Sequence, residues 1–494
     1  MTPKVVLFHP AYDGPTFTAP LSLLSLASPL LASGFDVKVI DAAVVPDPEE
    51  VIARELQGAV CFGVSILTGP MIRGGIKAAQ LVRRLRPKLP IVFGGWHPSL
   101  VPQGTLETAC IDAIVRGQGE LTLLELAQRL VEGKPLNGLR GASFKLEGKA
   151  VHNPERPVEN INNLPRPAFH LIDFDAYEKL TGVRKLGYAT SVGCPYACNY
   201  CTDQVYYKRR FNAYTAERVV GDIAELAARY RLDEVALLDS NFPVDIKRAV
   251  AIARGLLQAK SRVRWTFQAS TDLLCRLSDE EVRLLGESGV SHMGFGTESA
   301  SPEILTLMNK KHQRIEDMYE TARKTELAGI RVTFNLIFGY PGETEAARQE
   351  TFRVMSDIAR KYSNVTFSPN IFTPYPGIPI WPQLKQMGVH EPQSLEEWAD
   401  LSLGRNVLPW MRGSKLQRLE RILQYFLLNN QIRRSTIRAA WLRGGLRRAL
   451  SVPLRWRLQT NRYGFPWELW ISKALERVVL RRSLLTGQAL SHPI

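Results

Sequence analysis

Short apolar runs alternate with helix-like stretches over the first 150 residues. In the stretches 21–32 and 71–85, apolar residues recur at three- and four-residue spacing, which is typical of helices that bury one face. The runs between them are almost entirely apolar, which favours buried parallel strands. The predicted strands are 5–9, 37–41, 60–66, 91–95 and 113–116, and the other predicted helices are 48–56 and 120–131. We therefore predict that residues 1–150 form a doubly wound parallel sheet, with ligands beyond the carboxyl ends of the strands.

A stretch rich in Pro and Asn, residues 151–186, interrupts this pattern and is predicted to be a linker. The alternation resumes over residues 187–385. The predicted strands there are 187–192, 234–238, 263–269, 292–296, 331–338 and 365–373, and the predicted helices are 215–230, 246–258, 279–286, 315–328 and 345–362. Six such units predict a partial (β/α)6 barrel with its active site at the carboxyl ends of the strands. Residues 386–494 are predicted to form a mainly helical C-terminal region.

Composition and charge narrow the class of protein. Of the 494 residues, 45% are hydrophobic and 22% charged, which excludes a mostly disordered or fibrous chain. The net charge of +15 lies entirely in residues 405–494, which hold eighteen Lys and Arg against three Asp and Glu. A protein that coats nucleic acid along its whole length is therefore disfavoured. We expect no signal peptide and a cytoplasmic protein, with attachment to a membrane surface left open.

Three of the six cysteines lie within eight residues, in the sequence Cys194-Pro-Tyr-Ala-Cys198-Asn-Tyr-Cys201. This motif follows the first predicted strand of the second domain, so the thiols are expected in a loop at a carboxyl strand end. Closely spaced thiolates suit a soft metal centre, and three ligands leave one position of a [4Fe–4S] cluster or of a zinc ion open. A structural zinc site needs a fourth ligand, and none follows nearby. Three incidental buried cysteines are the remaining interpretation.

The C-x3-C-x2-C motif on the first strand of a six-unit barrel resembles the radical S-adenosylmethionine (SAM) superfamily. The resemblance implies a [4Fe–4S] cluster on Cys194, Cys198 and Cys201, with Tyr200 as the family's aromatic residue before the third cysteine. It further implies that the open iron chelates SAM, whose reductive cleavage gives a 5′-deoxyadenosyl radical that abstracts a substrate hydrogen. The cofactor does this chemistry, while the protein binds, orients and excludes water.

Segments at later strand ends resemble the SAM-binding segments of the same superfamily. In this comparison Asp239 meets the SAM amino group, Glu298 the ribose hydroxyls, and the segment from Asn335 to Gly339 the adenine ring. Two of these segments also have a specific structural interpretation. Asp239 is then a helix cap, and the segment after Gly339 is a tight Pro-Gly turn. No catalytic protein residue is assigned, because hydrogen abstraction by the radical needs no general base.

Loops of the first domain resemble the cobalamin-binding domain that precedes many radical SAM enzymes. The residues that carry this resemblance are Ser65, Thr68, Gly94, Gly95, His97, Gly117 and Glu120. The D-x-H-x-x-G motif of other cobalamin proteins is absent, so cobalamin is expected base-off without a protein histidine ligand. His97 is then interpreted as a loop or core residue. The alternative is a degenerate domain that binds no cobalamin.

The resemblance implies methyl transfer to an unactivated carbon of a hydrophobic or amphipathic small molecule, with an electron donor such as flavodoxin or ferredoxin. A second hypothesis is a radical SAM cyclase or ring-rearranging enzyme with a porphyrin or lipid-type substrate. A hypothesis from another class is a non-catalytic iron–sulfur protein that binds membrane or RNA.

The basic C-terminal region interleaves arginines with apolar residues. The arginines are Arg433, Arg434, Arg438, Arg443, Arg447, Arg448, Arg455 and Arg457, and the apolar residues are Ile432, Ile437, Trp441, Leu446, Leu450 and Trp456. Three interpretations stay open: a helical region packed on the barrel with a solvated Arg face, an amphipathic membrane-surface segment, or a surface for RNA or another polyanion. We do not expect nucleic acid as the main partner.

Overall fold

The computed structural model describes residues 2–11, 19–401, 407–434, 452–454, 456–458, 460 and 462–471. The predictions for Arg438, Trp441, Arg443 and the other tail residues at 435–451 lie outside these residues. Residues group into two compact units, unit 1 (1–240, 373–386 and 390–405) and unit 2 (241–372, 387–389 and 406–494). The domain boundaries at 150, 186 and 385 stay predictions.

The secondary structure follows the predicted alternation. The strands are β1 (Lys4–His9), β2 (Asp36–Asp41), β3 (Ala59–Ser65), β4 (Ile91–Gly94), β5 (Ala113–Val115), β6 (Ala142–Leu146), β7 (Lys149–His152), β8 (Lys185–Tyr188), β9 (Ser191–Val192), β10 (Asn212–Ala213), β11 (Glu234–Leu237), β12 (Arg264–Ala269), β13 (Val290–Glu298), β14 (Arg331–Phe338) and β15 (Val365–Ile371). The helices are α1 (Leu21–Ala32), α2 (Pro48–Glu55), α3 (Met71–Leu85), α4 (Trp96–Leu100), α5 (Pro102–Glu107), α6 (Glu120–Val131), α7 (Phe174–Thr181), α8 (Asp203–Tyr206), α9 (Ala216–Tyr230), α10 (Ile246–Gln258), α11 (Thr271–Cys275), α12 (Asp279–Glu287), α13 (Pro302–Leu307), α14 (Ile315–Leu327), α15 (Glu345–Lys361), α16 (Trp381–Gln386), α17 (Leu395–Ala399) and α18 (Ser414–Arg434).

The sheet of the first 152 residues has the strand order β2-β1-β3-β4-β5-β6-β7. Strands β1 to β5 are parallel, which confirms the predicted doubly wound sheet. The hairpin β6–β7 adds two antiparallel strands that the sequence analysis missed. Its turn residues Glu147 and Gly148 both have positive φ, as a two-residue hairpin requires. The carboxyl ends of β3, β4 and β5 carry the loops that resemble a cobalamin-binding domain.

The six predicted strand–helix units of the second domain are present. In unit 1, β8 pairs in parallel with β11. In unit 2, strands β12 to β15 pair in parallel in sequence order. Helix α18 packs on β15, where the Asn430 side chain hydrogen-bonds both the N–H and the carbonyl of Phe367 (3.0 and 2.5 Å). The start of the basic C-terminal region is therefore part of the core of unit 2.

One predicted strand is wrong. The run 187–192 was expected to be continuous, but β8 ends at Tyr188 and β9 begins at Ser191. The carboxylate of Asp239 accepts a hydrogen bond from the N–H of Thr190, and this bond turns the chain out of the parallel sheet. Strand β9, which begins at the next residue, pairs antiparallel with β10. Among the described residues, no helix combines the length and hydropathy needed to cross a membrane.

Candidate radical SAM and cobalamin sites

The three cysteines lie in one loop, the cluster loop (residues 193–211), whose base is closed by the β9–β10 ribbon. Gly193 opens it with φ of 77°, and a Cβ at this position would overlap the carbonyl oxygen of Arg210. Only glycine fits both constraints, because other residues rarely adopt this backbone. Within the loop, the N–H of Cys201 donates to the carbonyl of Cys198 (3.0 Å).

Two aspartates hold the ends of the cluster loop. Asp239, at the end of β11, accepts hydrogen bonds from the N–H and hydroxyl of Thr190 (2.7 and 2.5 Å) and from the hydroxyl of Ser191 (2.5 Å). Asp203, two residues after Cys201, accepts a hydrogen bond from the hydroxyl of Ser240 (2.7 Å) and another from the N–H of Cys194. Asp239 thus does not cap a helix, and its described contacts position the chain before Cys194. Its predicted contact with SAM stays a prediction.

The donor set of the cluster loop fits an iron–sulfur cluster. Burial, followed by its neighbours Asp203, Cys198 and Cys194, raises the pKa of the Cys201 thiol to about 12. Cluster binding must therefore displace protons from buried thiols. Among the described residues, no three His, Cys, Asp or Glu side chains converge to share a single metal ion. A [4Fe–4S] cluster needs no such convergence, because each thiolate binds a different iron.

Glu298, the predicted ribose contact, ends β13 at a bulge in its pairing with β14. Its backbone is left-handed, with φ of 56°, which is rare for a residue other than glycine and typical of functional sites. Its carboxylate accepts a hydrogen bond from Lys310 Nζ (2.9 Å), which also donates to the carbonyl of Gly296 (2.8 Å). Both side chains of the pair are over 90% buried. Sequence reasoning missed Lys310, although it lies only twelve residues beyond Glu298.

Replacing Lys310 by Met is expected to destabilise the fold by about 3 kcal/mol, because it removes the cationic partner of a buried carboxylate. Denaturant unfolding of the full chain measures this. The adjacent Lys311 is exposed, so Lys311→Met is a matched control that should stay within about 0.5 kcal/mol of the wild type. Equal midpoints for the two variants would contradict a stabilising role of the pair.

The segment around Gly339, the predicted adenine contact, is held by side chains that bond its backbone. Gly339 has φ of 76°, its N–H donates to the buried carboxylate of Glu343 (2.7 Å), and its carbonyl accepts from Trp410 Nε1 (3.0 Å). Burial raises the pKa of Glu343, against the opposing effect of Arg348. A Cβ at Gly339 would lie 3.2 Å from the side chain of Met411, so the closest described neighbour of this glycine is the segment after residue 407. The carbonyl of Asn335, four residues earlier, accepts from Thr297 (2.8 Å).

The loops after β3 and β4 pack tightly on each other. The N–H of Ile66 donates to the carbonyl of Gly94 (3.0 Å), and a Cβ at Gly95 would lie 2.5 Å from the carbonyl oxygen of Ile66. Gly95 has φ of 96°, so this close approach also requires glycine. Ser65 is buried at the end of β3, where its hydroxyl lies 3.4 Å from that of Ser22.

His97 is fully buried in the same loop. Its Nδ1 hydrogen-bonds the hydroxyl of Thr68 (2.9 Å), and its ring meets the edge of Trp398 at 5.8 Å. Burial lowers its pKa to about 3, so the imidazole is neutral. Its Nε2 has no hydrogen-bond partner in the part of the chain that the structure describes. This buried nitrogen lies beside the loops that follow β3, β4 and β5, which we name the glycine loops. It fits a domain that takes a polar ligand there.

The loop after β5 reaches the cluster loop. Gly117 has φ of 69°, and among the described residues no atom lies within 4 Å of the position that its Cβ would take. Its carbonyl accepts a hydrogen bond from the hydroxyl of Tyr206 (2.6 Å), and the ring of Tyr206 stacks on Trp96 with centroids 4.3 Å apart. Glu120 begins α6 near this junction, and burial raises its pKa.

The structure thus brings the predicted residues of unit 1 into two neighbouring sets, the glycine loops and the cluster loop, and joins them through Tyr206. In unit 2, Glu298 ends β13, and Asn335 and Gly339 lie in and directly after the neighbouring strand β14. Sequence reasoning missed Gly193, Asp203 and Trp96, which frame the loops. The sequence signal for Gly193 and Asp203 was their position directly beside the cysteine motif.

A parallel-sheet domain followed by strand–helix units that begin with a three-cysteine loop defines a class of enzyme that combines cobalamin with radical chemistry. The model of the B12 binding domain matches residues 4–127, and that of the Radical SAM superfamily matches residues 188–355. An uncharacterized methyltransferase of Pyrococcus horikoshii is 31% identical over 368 residues, which cover 73% of this chain and 77% of the relative. The chain therefore belongs to the radical SAM superfamily and carries a B12-binding domain.

Two further similarities agree with this assignment. The anaerobic magnesium-protoporphyrin IX monomethyl ester cyclase of Rubrivivax gelatinosus is 25% identical, with 77% of this chain and 70% of the relative covered. The fold matches the radical SAM methyltransferase TsrM from Kitasatospora setae, solved with cobalamin and a [4Fe–4S] cluster bound, with a TM-score of 0.67 at 23% identity. That match covers 79% of this chain and 76% of the TsrM chain. The protein is a radical SAM enzyme of the methyltransferase-like group, and its cofactors are a [4Fe–4S] cluster, SAM and cobalamin.

Proposed function

We propose that the protein transfers a methyl group to an unactivated carbon of a hydrophobic or amphipathic metabolite. The observation that carries the proposal is the direct contact, within one compact unit, between the cluster loop and the glycine loops of the B12-binding domain. Methyl transfer to a carbon radical needs the methyl carrier and the radical source to act on one substrate, and this contact sets both loops at one place.

The residues of the chain bind, orient and shield. Cys194, Cys198 and Cys201 would hold the cluster, and the loops containing Gly95 and Gly117 would hold cobalamin. When bound, these groups supply the radical and the methyl group. The neutral, buried His97 would offer Nε2 to a polar group of the ligand rather than to cobalt. An external one-electron donor, such as flavodoxin or ferredoxin, would reduce the cluster.

The alternative within enzymes is ring formation. It is supported by the similarity to the magnesium-protoporphyrin ester cyclase, whose name states a cyclisation on a tetrapyrrole ester. Methyl transfer is supported by the Pyrococcus horikoshii relative, which is more similar and is named a methyltransferase. The two hypotheses differ in what happens to SAM.

Product analysis separates them. The reconstituted protein is incubated anaerobically with SAM, a reductant and candidate apolar substrates, and the products are analysed by mass spectrometry. Methyl transfer predicts equal amounts of S-adenosylhomocysteine and 5′-deoxyadenosine and a product heavier by one methylene. Turnover without S-adenosylhomocysteine would favour cyclisation. Absence of any SAM cleavage would favour a non-catalytic iron–sulfur protein.

We also propose that the enzyme meets its substrate at an anionic membrane surface. Five large apolar side chains near the C-terminus form an exposed set, which we name the aromatic patch: Val452, Trp456, Phe465, Trp470 and Ile471, between 40% and 72% exposed. A buried ion pair between Arg457 and Glu468 (2.5 Å) holds its two short helical segments together. Exposed aromatic side chains within a region of net charge +15 suit the interface of an anionic bilayer.

The combined replacement of Trp456, Phe465 and Trp470 by Ser is expected to lower binding to vesicles of equal phosphatidylglycerol and phosphatidylcholine about tenfold or more. Co-sedimentation of the full chain measures it; deletion after residue 405 would instead remove α18 from the core. The control replaces Leu146, Leu180 and Leu327, which are similarly exposed elsewhere. Equal losses in both variants, or binding to RNA but not to vesicles, would overturn this proposal.

A further inference from the structure

Helix α8 anchors the cluster loop to the loops of the B12-binding domain. It begins two residues after Cys201 and ends at Tyr206. The rings of Tyr206 and Trp96 stack at 4.3 Å with an interplanar angle of 24°, and Tyr207 meets Trp96 edge-on at 5.9 Å. Stacked and edge-on aromatic pairs of this kind contribute beyond the apolar area that they bury.

A chain of hydrogen bonds runs through this contact. The hydroxyl of Ser99 donates to the carbonyl of Gly95 (2.6 Å) and accepts from the N–H of Gly117 (2.9 Å). The hydroxyl of Tyr206 donates to the carbonyl of Gly117 (2.6 Å). Gly117 is therefore bonded directly to a side chain of the cluster loop, and Gly95 is linked to Gly117 through Ser99.

The arrangement is more specific than packing requires. A phenylalanine at position 206 would supply the same ring to Trp96 but would lose the hydrogen bond to Gly117. In the part of the chain that the structure describes, no atom lies within 4 Å of the position that a Cβ of Gly117 would take. A ligand that seats on the glycine loops can therefore shift or fix Gly117, and the Tyr206 hydroxyl conveys that position to the cluster loop.

We propose that Tyr206, with Trp96 and Ser99, is a positioning group that couples cobalamin binding to the geometry of the cluster loop. The inference rests on the proposed use of both cofactors by this chain. Cobalamin on the glycine loops then stabilises the cluster loop, and a cluster-loaded loop tightens cobalamin binding, since coupling between two ligands is reciprocal.

The test measures the Kd of hydroxocobalamin by absorbance, anaerobically, for cluster-loaded and chelator-stripped full-length protein. The wild type is expected to bind about fivefold more tightly when loaded, at the lower end of common coupling factors. Bound cobalamin should also slow the removal of iron by a chelator. In Tyr206→Phe, which keeps the ring and removes the hydroxyl, both effects should fall to less than twofold.

Tyr319→Phe is the matched control, because its hydroxyl also bonds a neighbouring side chain, Asp357 (3.1 Å), far along the chain from either loop. It should keep the full coupling. A second variant, Trp96→Phe, weakens the stack and should reduce the coupling even if Tyr206→Phe folds poorly. Equal Kd values for the cluster-loaded and the chelator-stripped wild type would overturn the inference. Full coupling in both Tyr206→Phe and Trp96→Phe would overturn it as well.

The binding measurements are independent of turnover. Coupled binding without any methylated product would overturn the proposed reaction and leave the inference standing. Failure of both the cluster-loaded and the chelator-stripped protein to bind cobalamin would overturn the proposed reaction and the inference together.

Discussion

The Cys198→Ala variant is expected to lose the [4Fe–4S] cluster and to release no 5′-deoxyadenosine, while the wild type takes up about four irons per chain. Cys198 is buried in the cluster loop, and its carbonyl accepts a hydrogen bond from the N–H of Cys201. Removal of one thiolate from a three-thiolate set leaves the cluster with too few protein ligands. Iron analysis and product chromatography measure the two effects.

Cys275→Ala is the control for this prediction. Cys275 ends α11, and its thiol lies 3.5 Å from the carbonyl of Asp317 and 3.8 Å from the hydroxyl of Thr321. Burial raises its pKa to about 11, as for an inert structural thiol. Loss of iron from this variant, or its retention in Cys198→Ala, would contradict the cluster assignment.

The Gly193→Ala variant is expected to retain about tenfold less iron than the wild type, since strain of about 1.4 kcal/mol or more opposes the native loop. The strain has two sources: the left-handed backbone, and the overlap of a Cβ with the carbonyl oxygen of Arg210. Anaerobic reconstitution followed by iron analysis measures it.

Gly182→Ala separates the two sources. Gly182 has nearly the same φ, 73°, but no atom of the residues that the structure describes lies within 4 Å of the position that a Cβ would take there. It should lose stability only through the backbone and keep its iron. If both variants load iron equally, the close approach of Gly193 to Arg210 is not needed for the cluster.

Periodicity in the sequence was sufficient for the elements whose stability is local. Helices α1, α3, α6 and α10 and strand β14 have the bounds predicted from it. The strand 187–192 could not be predicted correctly, because the break after Tyr188 depends on the hydrogen bond from Thr190 to the carboxylate of Asp239, forty-nine residues beyond Thr190. The hairpin β6–β7 was missed although Glu147-Gly148 offered a turn signal.

In the candidate site, too, the sequence predicts what lies in one contiguous segment and misses what depends on residues distant in sequence. The cysteines and the glycine loops could be found from the sequence, because each forms a contiguous motif. The partners that hold them could not: Asp239 bonds Thr190 and Ser191, which lie far from it in sequence, and the pairing of Lys310 with Glu298 depends on a bulge in β13. Which residues touch SAM and cobalamin stays a prediction.

The β9–β10 ribbon that closes the base of the cluster loop bears on how the enzyme matures. The ribbon, Asp203 and Gly193 fix the course of the loop through the polypeptide alone, so the conformational entropy of ordering it is lost during folding rather than during metallation. We therefore expect the pairing of β9 with β10 to lower the conformational entropy that cluster binding must still remove from the loop.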